Sequence, residues 1–371
     1  MRVGVPKEIK DHEYRVGLTP ESVHELTAHG HEVFVQSGAG LGIGASDAAY
    51  EAEGAQVLAS AEEVFERAEM IVKVKEPQAS ERKMLRPDHL LFTYLHLAPD
   101  PEQTKDLVES GAVCIAYETV RDGQGRLPLL APMSQVAGRL SIQAGATALQ
   151  KANGGKGVLL GGVPGVAPAN VVVIGGGVVG SHAIEMALGL GADVQVLDRN
   201  LSVLDQLSAR FGASLKTVYA SRAALEQAVR KADLVVGAVL VAGAAAPKLV
   251  SAELVKEMTA GSVLVDVAID QGGCFETSHA TTHTDPTYLV DDVVHYCVAN
   301  MPGAVPRTST YALNNATLPY VLALADKGYK AALLETPGFL PGLNVFKGKV
   351  CEREVAENLG YDYVSPEDAL Q

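Results

Sequence analysis

Several residue types are scarce in this sequence, and each scarcity argues against a class of protein. Among the 371 residues there is no tryptophan, and the four cysteines form no C-x-x-C pair. We therefore expect neither a disulfide framework nor a zinc knuckle, and we expect a reducing, cytoplasmic location. Basic residues number 30 against 44 acidic ones, a net charge of −14, which argues against a nucleic-acid partner. The composition favours a protein that acts on small molecules.

A long uninterrupted apolar run is also missing. Residues 157–184 contain no Asp, Glu, Lys or Arg, but Pro164, Pro168 and a group of glycines interrupt this segment. A membrane helix needs about 20 consecutive apolar residues, and it would not continue through such breaks. The first ten residues include both basic and acidic ones and contain no apolar block of the kind found in a signal peptide. We predict no membrane span.

The sequence does contain a regular alternation of strand and helix patterns. Apolar and β-branched runs predict strands in two groups, 2–5, 31–36, 70–74 and 90–95 in the first, and 170–174, 193–197, 216–219, 234–239, 263–268 and 293–298 in the second. Helical patterns separate or follow most of these runs. Such alternation predicts an α/β fold with two domains, each with a mainly parallel sheet.

The second group of strands follows the rhythm of two βαβαβ halves, which is typical of a Rossmann domain. From Thr308 the pattern returns to helix, with a kink or break expected at Pro319, and the remaining tail is short for a domain of its own. We therefore predict a Rossmann NAD-binding domain of residues 129–307. It is inserted into a discontinuous substrate domain of residues 1–128 and 308–371.

A glycine motif marks the start of this Rossmann pattern. Gly175, Gly177 and Gly180 form G-x-G-x-x-G between a predicted strand and a predicted helix. In that context the glycines permit a tight turn that lets a pyrophosphate approach the helix N-terminus. Asp198 ends the next predicted strand, where a carboxylate accepts hydrogen bonds from ribose hydroxyls and repels a 2′-phosphate. The motif predicts NAD as the cofactor, in preference to NADP.

Four charged or titratable residues lie beyond predicted strands, where ligands of parallel sheets bind. Arg15 follows the first strand, Lys75 and His96 follow two others, and Asp270 lies in the Rossmann domain. Arginine can hold a carboxylate, lysine can polarise a carbonyl and histidine can exchange protons near neutral pH. Each has an ordinary alternative: Arg15 as a solvated loop residue, Lys73 or Lys75 as a surface charge, His96 as a structural or exposed histidine, and Asp270 as the cap of a turn.

Seven segments carry a resemblance that runs almost from end to end. They are VGVPKE at 3–8, E-x-R-V-G-L-T-P-E at 13–21, KVKEP at 73–77, YLHLA at 94–98, MSQVAG at 133–138, DVAIDQGG at 266–273 and NMPGAVP at 300–306. With these motifs the chain resembles the family shared by NAD-dependent L-alanine dehydrogenases and the nucleotide-binding subunit of proton-translocating transhydrogenases.

The resemblance implies a role for each matching residue. Arg15 and Lys75 would bind the carboxylate and carbonyl of pyruvate or L-alanine, and His96 and Asp270 would be the catalytic pair. The implied NAD-binding residues are Ser134, Gly175, Gly177, Val178, Val179, Gly180, Asp198, Val239, Leu240, Val267, Ala268, Ile269, Asp270, Val298, Ala299, Asn300 and Met301. The resemblance also implies a homo-oligomer, with a hexamer favoured.

Some members of this family bind a divalent ion through a glutamate at the position of Glu118 and a histidine where this chain has Lys327. With lysine at that position we predict no metal. The expected reaction is the reversible oxidative deamination of L-alanine to pyruvate and ammonium, with NAD⁺ as hydride acceptor. The alternatives are a transhydrogenase subunit, which would lack the histidine at position 96, and a catalytically silent NAD-binding protein. The presence of Arg15, Lys75, His96 and Asp270 together argues against both.

Overall fold

The computed structural model describes residues 1–239 and 246–371, which divide into two compact units. The first unit comprises residues 1–133 and 305–371, and the second comprises residues 134–304. The domain limits at 128/129 and 307/308 stay a prediction, because compactness does not show that either part folds on its own. No helix within the described residues is long and apolar enough to cross a membrane.

Strands and helices alternate along both units. The strands are β1 (Arg2–Val5), β2 (Glu32–Gln36), β3 (Gln56–Leu58), β4 (Met70–Val72), β5 (Leu90–Thr93), β6 (Val113–Ala116), β7 (Asn170–Ile174), β8 (Asp193–Asp198), β9 (Leu215–Tyr219), β10 (Leu234–Gly237), β11 (Val263–Asp266), β12 (Thr287–Val290), β13 (Val293–Tyr296), β14 (Leu343–Phe346) and β15 (Lys349–Val350). The helices are α1 (Pro20–Ala28), α2 (Asp47–Ala52), α3 (Ala61–Arg67), α4 (Ala79–Arg82), α5 (Pro101–Ser110), α6 (Ala131–Ala148), α7 (Val178–Gly189), α8 (Leu201–Phe211), α9 (Arg222–Lys231), α10 (Ala252–Lys256), α11 (Pro306–Glu335), α12 (Arg353–Leu359) and α13 (Pro366–Ala369).

The sheet of the first unit has the strand order β15-β14-β6-β5-β4-β1-β2-β3. Strands β1 to β6 run parallel to one another, and β14 and β15, from the end of the chain, pair antiparallel at the β6 edge. The sequence pattern predicted β1, β2, β4 and β5 but neither the short strands β3 and β6 nor the returning pair. Short apolar runs carry too little periodicity to be distinguished from other buried segments.

The sheet of the second unit has the order β12-β13-β11-β10-β7-β8-β9. All strands except β12 are parallel, so the prediction of two α/β domains with mainly parallel sheets is confirmed. Both faces of the sheet are buried: Val171 and Val173 of β7 pack into one apolar cluster, Val172 and Ile174 into another. This explains why its central strands are continuous apolar runs. The strand order reverses between β7 and β10, the point where ligands bind in such sheets.

Helix α11 ties the end of the chain to its beginning. Asn314 accepts a hydrogen bond from the Thr19 backbone N–H at 2.9 Å and donates one to the Gly17 carbonyl at 3.0 Å. The helix is not broken at Pro319, which lies inside it; the residue with non-helical angles is Gly328, at φ 75° and ψ 158°. Only glycine adopts this backbone region without strain. The segment that contains Arg15 is thereby anchored on a helix from the far end of the chain.

Candidate functional site

The carboxyl ends of β1, β4, β5 and β6 lie side by side at one edge of the first sheet, because these strands are neighbours and parallel. Arg15, Lys75 and His96 lie in the segments that leave the first three of these strands. Glu118 follows β6 by two residues, and sequence reasoning considered it only as a metal ligand. The topology therefore brings three predicted site residues and one additional carboxylate to the same sheet edge.

Arg15 is not a solvated loop residue, since only 2% of its surface is exposed. Its Nε and Nη2 atoms donate to the two oxygens of Glu13 at 2.7 and 2.6 Å, and Nη1 contacts the Met133 sulfur at 3.0 Å. Burial alone would lower the pKa of Arg15, but the hydrogen bonds and charge of Glu13 raise it above its ordinary value. The Nε/Nη2 fork of this guanidinium thus holds a protein carboxylate.

The two lysines beyond β4 lie in different environments. Lys73 is fully buried, and its Nζ donates to Glu8 at 3.0 Å and to Glu81 at 2.8 Å. Burial would lower the pKa of Lys73, yet the charges of the two glutamates raise it. The surface-charge interpretation of Lys73 is therefore wrong. Lys75 is half-buried, and its carbonyl accepts a hydrogen bond from Thr93 at 2.9 Å.

His96 presents its imidazole to solvent, with 46% of the side chain exposed. Its ring lies parallel to that of Tyr94, with centroids 5.8 Å apart. The Tyr94 hydroxyl donates to the Leu129 carbonyl at 2.5 Å, and burial raises the pKa of Tyr94 well above its ordinary value. The phenol is thus a neutral support for the imidazole. Tyr94 belongs to the YLHLA motif, but the sequence alone predicted no role for it.

The glycine motif of the second unit has the geometry of a dinucleotide-binding loop. Gly175 has φ 99°, and a Cβ at Gly180 would lie 1.8 Å from the Gly175 carbonyl oxygen, so the first and third positions exclude larger residues. Gly177 caps the N-terminus of α7, and the space around its missing Cβ is open for 4 Å. These are the tight turn, close packing and open approach that a pyrophosphate site requires.

Asp198 lies beside this loop. Its Oδ2 accepts a hydrogen bond from the Gly176 N–H at 2.7 Å, and its Oδ1 accepts one from the Asn200 N–H at 2.8 Å. A carboxylate offers about four acceptor positions, so these two bonds orient the group and leave acceptor capacity for ribose hydroxyls. The glycine loop therefore holds Asp198, the residue predicted to bind the ribose of the cofactor.

Ser134 lies on α6, one turn before Gly138. A Cβ at Gly138 would lie 2.2 Å from the Val179 carbonyl oxygen, so this glycine lets α6 approach the first turn of α7. Residues four apart share one face of a helix. Ser134 therefore lies on the face of α6 that packs beside the glycine loop.

The remaining predicted NAD residues follow β10, β11 and β13. These are Val239, Val267, Ala268, Ile269, Asp270, Val298, Ala299, Asn300 and Met301. Leu240 falls outside the described residues. The strand predicted to reach Ala268 ends at Asp266, and Asp270 lies in a 3₁₀ turn, exposed to solvent. Parallel strands place all of these segments at the same edge as the glycine loop.

A buried carboxylate that sequence reasoning left without a role organises the loop around Asp270. Asp266 accepts hydrogen bonds from the backbone N–H of Ala268 at 3.2 Å and of Cys274 at 2.8 Å, and from the Ser278 hydroxyl at 2.6 Å. Burial raises the pKa of Asp266 despite these bonds. Because its partners flank Asp270 on both sides, Asp266 fixes the backbone of that turn.

The side chains present at the implied divalent-ion position do not fit a metal. Lys327 forms an ion pair with Glu335, with Nζ and Oε2 2.9 Å apart, and an ammonium group is a donor that cannot ligate a cation. Across residues 1–239 and 246–371, no three His, Cys, Asp or Glu side chains are grouped to hold a metal ion. We therefore assign no catalytic step to a metal ion.

The strand order and the glycine loop define the second unit as a Rossmann-type nucleotide-binding domain, and the first unit as a separate α/β unit with charged residues at its sheet edge. Sequence comparison makes the class specific. Residues 4–137 match the Alanine dehydrogenase/PNT, N-terminal domain family, and residues 141–353 match the Alanine dehydrogenase/PNT, C-terminal domain family. The chain belongs to the alanine dehydrogenase/PNT family.

Several full-length relatives are named alanine dehydrogenase. The chain is 60% identical to the one from Halomonas elongata, with 98% of each chain covered. It is 54% identical to the one from Mycobacterium tuberculosis H37Rv, with 100% of each covered, and 54% identical to that of Bacillus subtilis, with 100% of this chain and 98% of the relative covered.

Solved structures agree with these relatives. An L-alanine dehydrogenase superposes with a TM-score of 0.94 at 53% identity, covering 97% of this chain and 99% of that one. A transhydrogenase from Sinorhizobium meliloti superposes with a TM-score of 0.83 at 25% identity, covering 94% and 100%. Both fold and sequence are thus more similar to the alanine dehydrogenase than to the transhydrogenase.

Proposed function

We propose that this protein catalyses the reversible oxidative deamination of L-alanine to pyruvate and ammonium with NAD⁺ as hydride acceptor. The observation that carries this proposal is the set of Arg15, Lys75 and His96 at one sheet edge, in a chain 54–60% identical over its length to alanine dehydrogenases. A transhydrogenase subunit is less well supported, since the solved example is 25% identical. A silent NAD-binding protein would have no use for these side chains together.

In the first unit, we assign Arg15 and Lys75 to the substrate carboxylate and carbonyl oxygen. Fixing these atoms orients the substrate Cα, which lowers the entropic part of the barrier. His96 exchanges protons as the amino group is replaced by oxygen, and its exposed imidazole is of the type that does so near neutral pH. We assign Asp270, from the second unit, to the substrate amino group.

In the second unit, the proposed cofactor is NAD, held by the glycine loop, Ser134, Asp198 and the segments after β10, β11 and β13. When bound, NAD⁺ accepts the hydride from Cα of L-alanine. The α7 N-terminus provides backbone N–H groups for the pyrophosphate. The Asp198 carboxylate accepts hydrogen bonds from the ribose hydroxyls and disfavours a 2′-phosphate.

The same proposal includes the setting of the enzyme. We propose a cytoplasmic homo-oligomer, most simply a hexamer, that takes L-alanine, pyruvate and ammonium as its small-molecule substrates. The four cysteines of the chain are all free and buried, which is compatible with a reducing compartment.

Oxidation of NADH on addition of pyruvate plus ammonium tests the activity. Each component omitted in turn, glyoxylate or 2-oxobutyrate in place of pyruvate, and NADPH in place of NADH, serve as controls. We expect turnover with pyruvate and NADH, and we expect Asp198→Ala to weaken NADH more than NADPH. Equal use of NADPH by the unmodified protein would remove the role of Asp198, and absence of turnover would overturn the function.

A further inference from the structure

The three predicted site residues of the first unit, two for substrate binding and one catalytic, share one kind of support. In each, the backbone N–H donates to the carboxylate of a different, largely buried glutamate. Arg15 donates to Glu13 at 3.1 Å, Lys75 to Glu8 at 3.4 Å and His96 to Glu118 at 2.6 Å. Carboxylate bonds to backbone N–H groups are charge-assisted and stronger than neutral ones.

Glu118 makes the shortest of these bonds, and its partner has the least ordinary backbone. His96 has φ 49°, the left-handed region that side chains other than glycine rarely occupy and that recurs at functional sites. Glu118 is 14% exposed and also accepts the Leu95 N–H at 3.2 Å. Two successive N–H groups therefore converge on one carboxylate, which fixes the orientation of the two peptide groups that lead into His96.

We propose that Glu118 is a positioning residue that holds the two peptide groups leading into His96 and so directs the imidazole to the substrate. This inference rests on the proposed function of His96. The side-chain contact is weaker than the backbone contact, since Nδ1 lies 3.8 Å from Oε1. Glu118 therefore acts through the backbone of residue 96. Without the carboxylate these two peptide groups can rotate, which turns the imidazole away.

A double-mutant cycle separates this role from a general loss of stability. We expect Glu118→Ala to lower kcat by about 10- to 100-fold, the scale of a misplacement near 1 Å, with NADH affinity unchanged. Glu118→Gln keeps a carbonyl oxygen that can accept both N–H groups, so it should recover most of kcat. In a His96→Ala background, Glu118→Ala should add less than about twofold, because its effect passes through the missing imidazole.

Asp47→Ala is the matched control, since Asp47 also accepts a backbone N–H in the first unit, from Gly38 at 2.8 Å, and should leave kcat unchanged. Equal losses from Glu118→Ala in both backgrounds, or a Gln variant as impaired as the Ala variant, would overturn the positioning role. A crystal structure of Glu118→Gln and Glu118→Ala decides independently of turnover: the N–H groups of residues 95 and 96 should keep their direction in the first and turn away from residue 118 in the second. An inactive unmodified protein would instead overturn the proposed function, and an unchanged direction of both N–H groups in both variants would overturn this inference alone.

Discussion

Two sheet edges differ in chemistry: the edge of the second unit at which we propose the nucleotide binds (the nucleotide edge), and the edge of the first unit at which we propose the substrate binds (the substrate edge). In the second unit the edge is formed mainly by backbone: a glycine turn, a helix N-terminus and one carboxylate, Asp198, that is hydrogen-bonded to the loop itself. In the first unit the edge carries charged side chains whose backbone N–H groups donate to carboxylates, either nearby in the chain, as Glu13 is to Arg15, or distant, as Glu8 is to Lys75.

This difference determines what each site depends on. The nucleotide edge is local, because the glycine loop and Asp198 lie within one βαβ unit. The substrate edge depends on pairs distant in sequence, with Lys73 and Glu8 65 residues apart and His96 and Glu118 22 residues apart. Substitutions at the first edge should therefore affect ligand binding, whereas substitutions beneath the second should affect folding or turnover.

The largest effect is expected from breaking the buried ion pairs of the first unit. Lys73→Met leaves Glu8 and Glu81 buried without their cation, and we expect the free energy of unfolding to fall by about 3–5 kcal/mol. Lys105→Met is the matched control, since Lys105 pairs with Glu109 at 3.8 Å with 65% of its side chain exposed; it should cost about 0.2–1 kcal/mol. Urea unfolding of both variants measures the difference, and equal losses would contradict the structural role of Lys73.

The next effect concerns turnover. If His96 moves protons, His96→Ala should lower kcat by about 100-fold or more. NADH affinity and melting temperature should stay the same, because the imidazole is 46% exposed. His24→Ala is the control, since His24 is also exposed and also faces a glutamate, Glu53 at 2.7 Å. A melting temperature that falls while kcat is kept would indicate a structural histidine and shift proton transfer to Lys75 or Asp270.

A smaller effect is expected at the nucleotide edge. Gly180→Ala places a Cβ against the Gly175 carbonyl oxygen, so the loop must shift. Overpacking of this kind costs about 1–3 kcal/mol. A cost of this size in the NADH complex corresponds to NADH binding weakened about tenfold or more. Gly189→Ala on the same helix meets nothing within 4 Å. It should leave NADH affinity unchanged and raise stability by about 0.4–1 kcal/mol. Fluorescence titration with NADH measures both variants, and equal affinities would contradict the close-packing role of Gly180.

The smallest effect is one in which the two units should behave alike. Burial lowers the pKa of His89 in the first unit and of His295 in the second below the ordinary 6.5. Since the folded state favours neutral imidazole, the stability that each histidine contributes is present above pH 6.5 and is lost as the pH falls below it. The slope is at most about 1.4 kcal/mol per pH unit for each group.

His89→Gln and His295→Gln should therefore each reduce the difference in melting temperature between pH 7 and pH 5.5. At His89 one hydrogen bond acts with burial, because Nδ1 accepts the Arg86 N–H at 3.1 Å and so must be unprotonated. A pH dependence identical to that of the unmodified protein would show that these groups take up no proton on unfolding.

The sequence was sufficient for features that are local in the chain. The glycine loop, Asp198 and the segments that follow β4 and β5 could be located because each follows a recognisable strand. Glu13 was not identified as a support although it lies only two residues from Arg15. Glu8 and Glu118 were not identified because a glutamate gives no local sign that its carboxylate will receive a distant N–H group. The antiparallel strands β12, β14 and β15 were missed for the same reason, as only their partners in the sheets define them.

The return of the chain to the first sheet affects the order in which the protein can assemble on the ribosome. The second unit is one continuous stretch of sequence, residues 134–304, whereas the first unit lacks α11, β14 and β15 until residues 305–371 are made. Synthesis proceeds from the N-terminus, so a nascent chain has a complete second unit while β6 is still an open sheet edge. Such edges pair readily with wrong strands. The β6 edge is therefore where aggregation or chaperone binding should begin during translation, and a chain shortened before Leu343 should retain that exposed edge permanently.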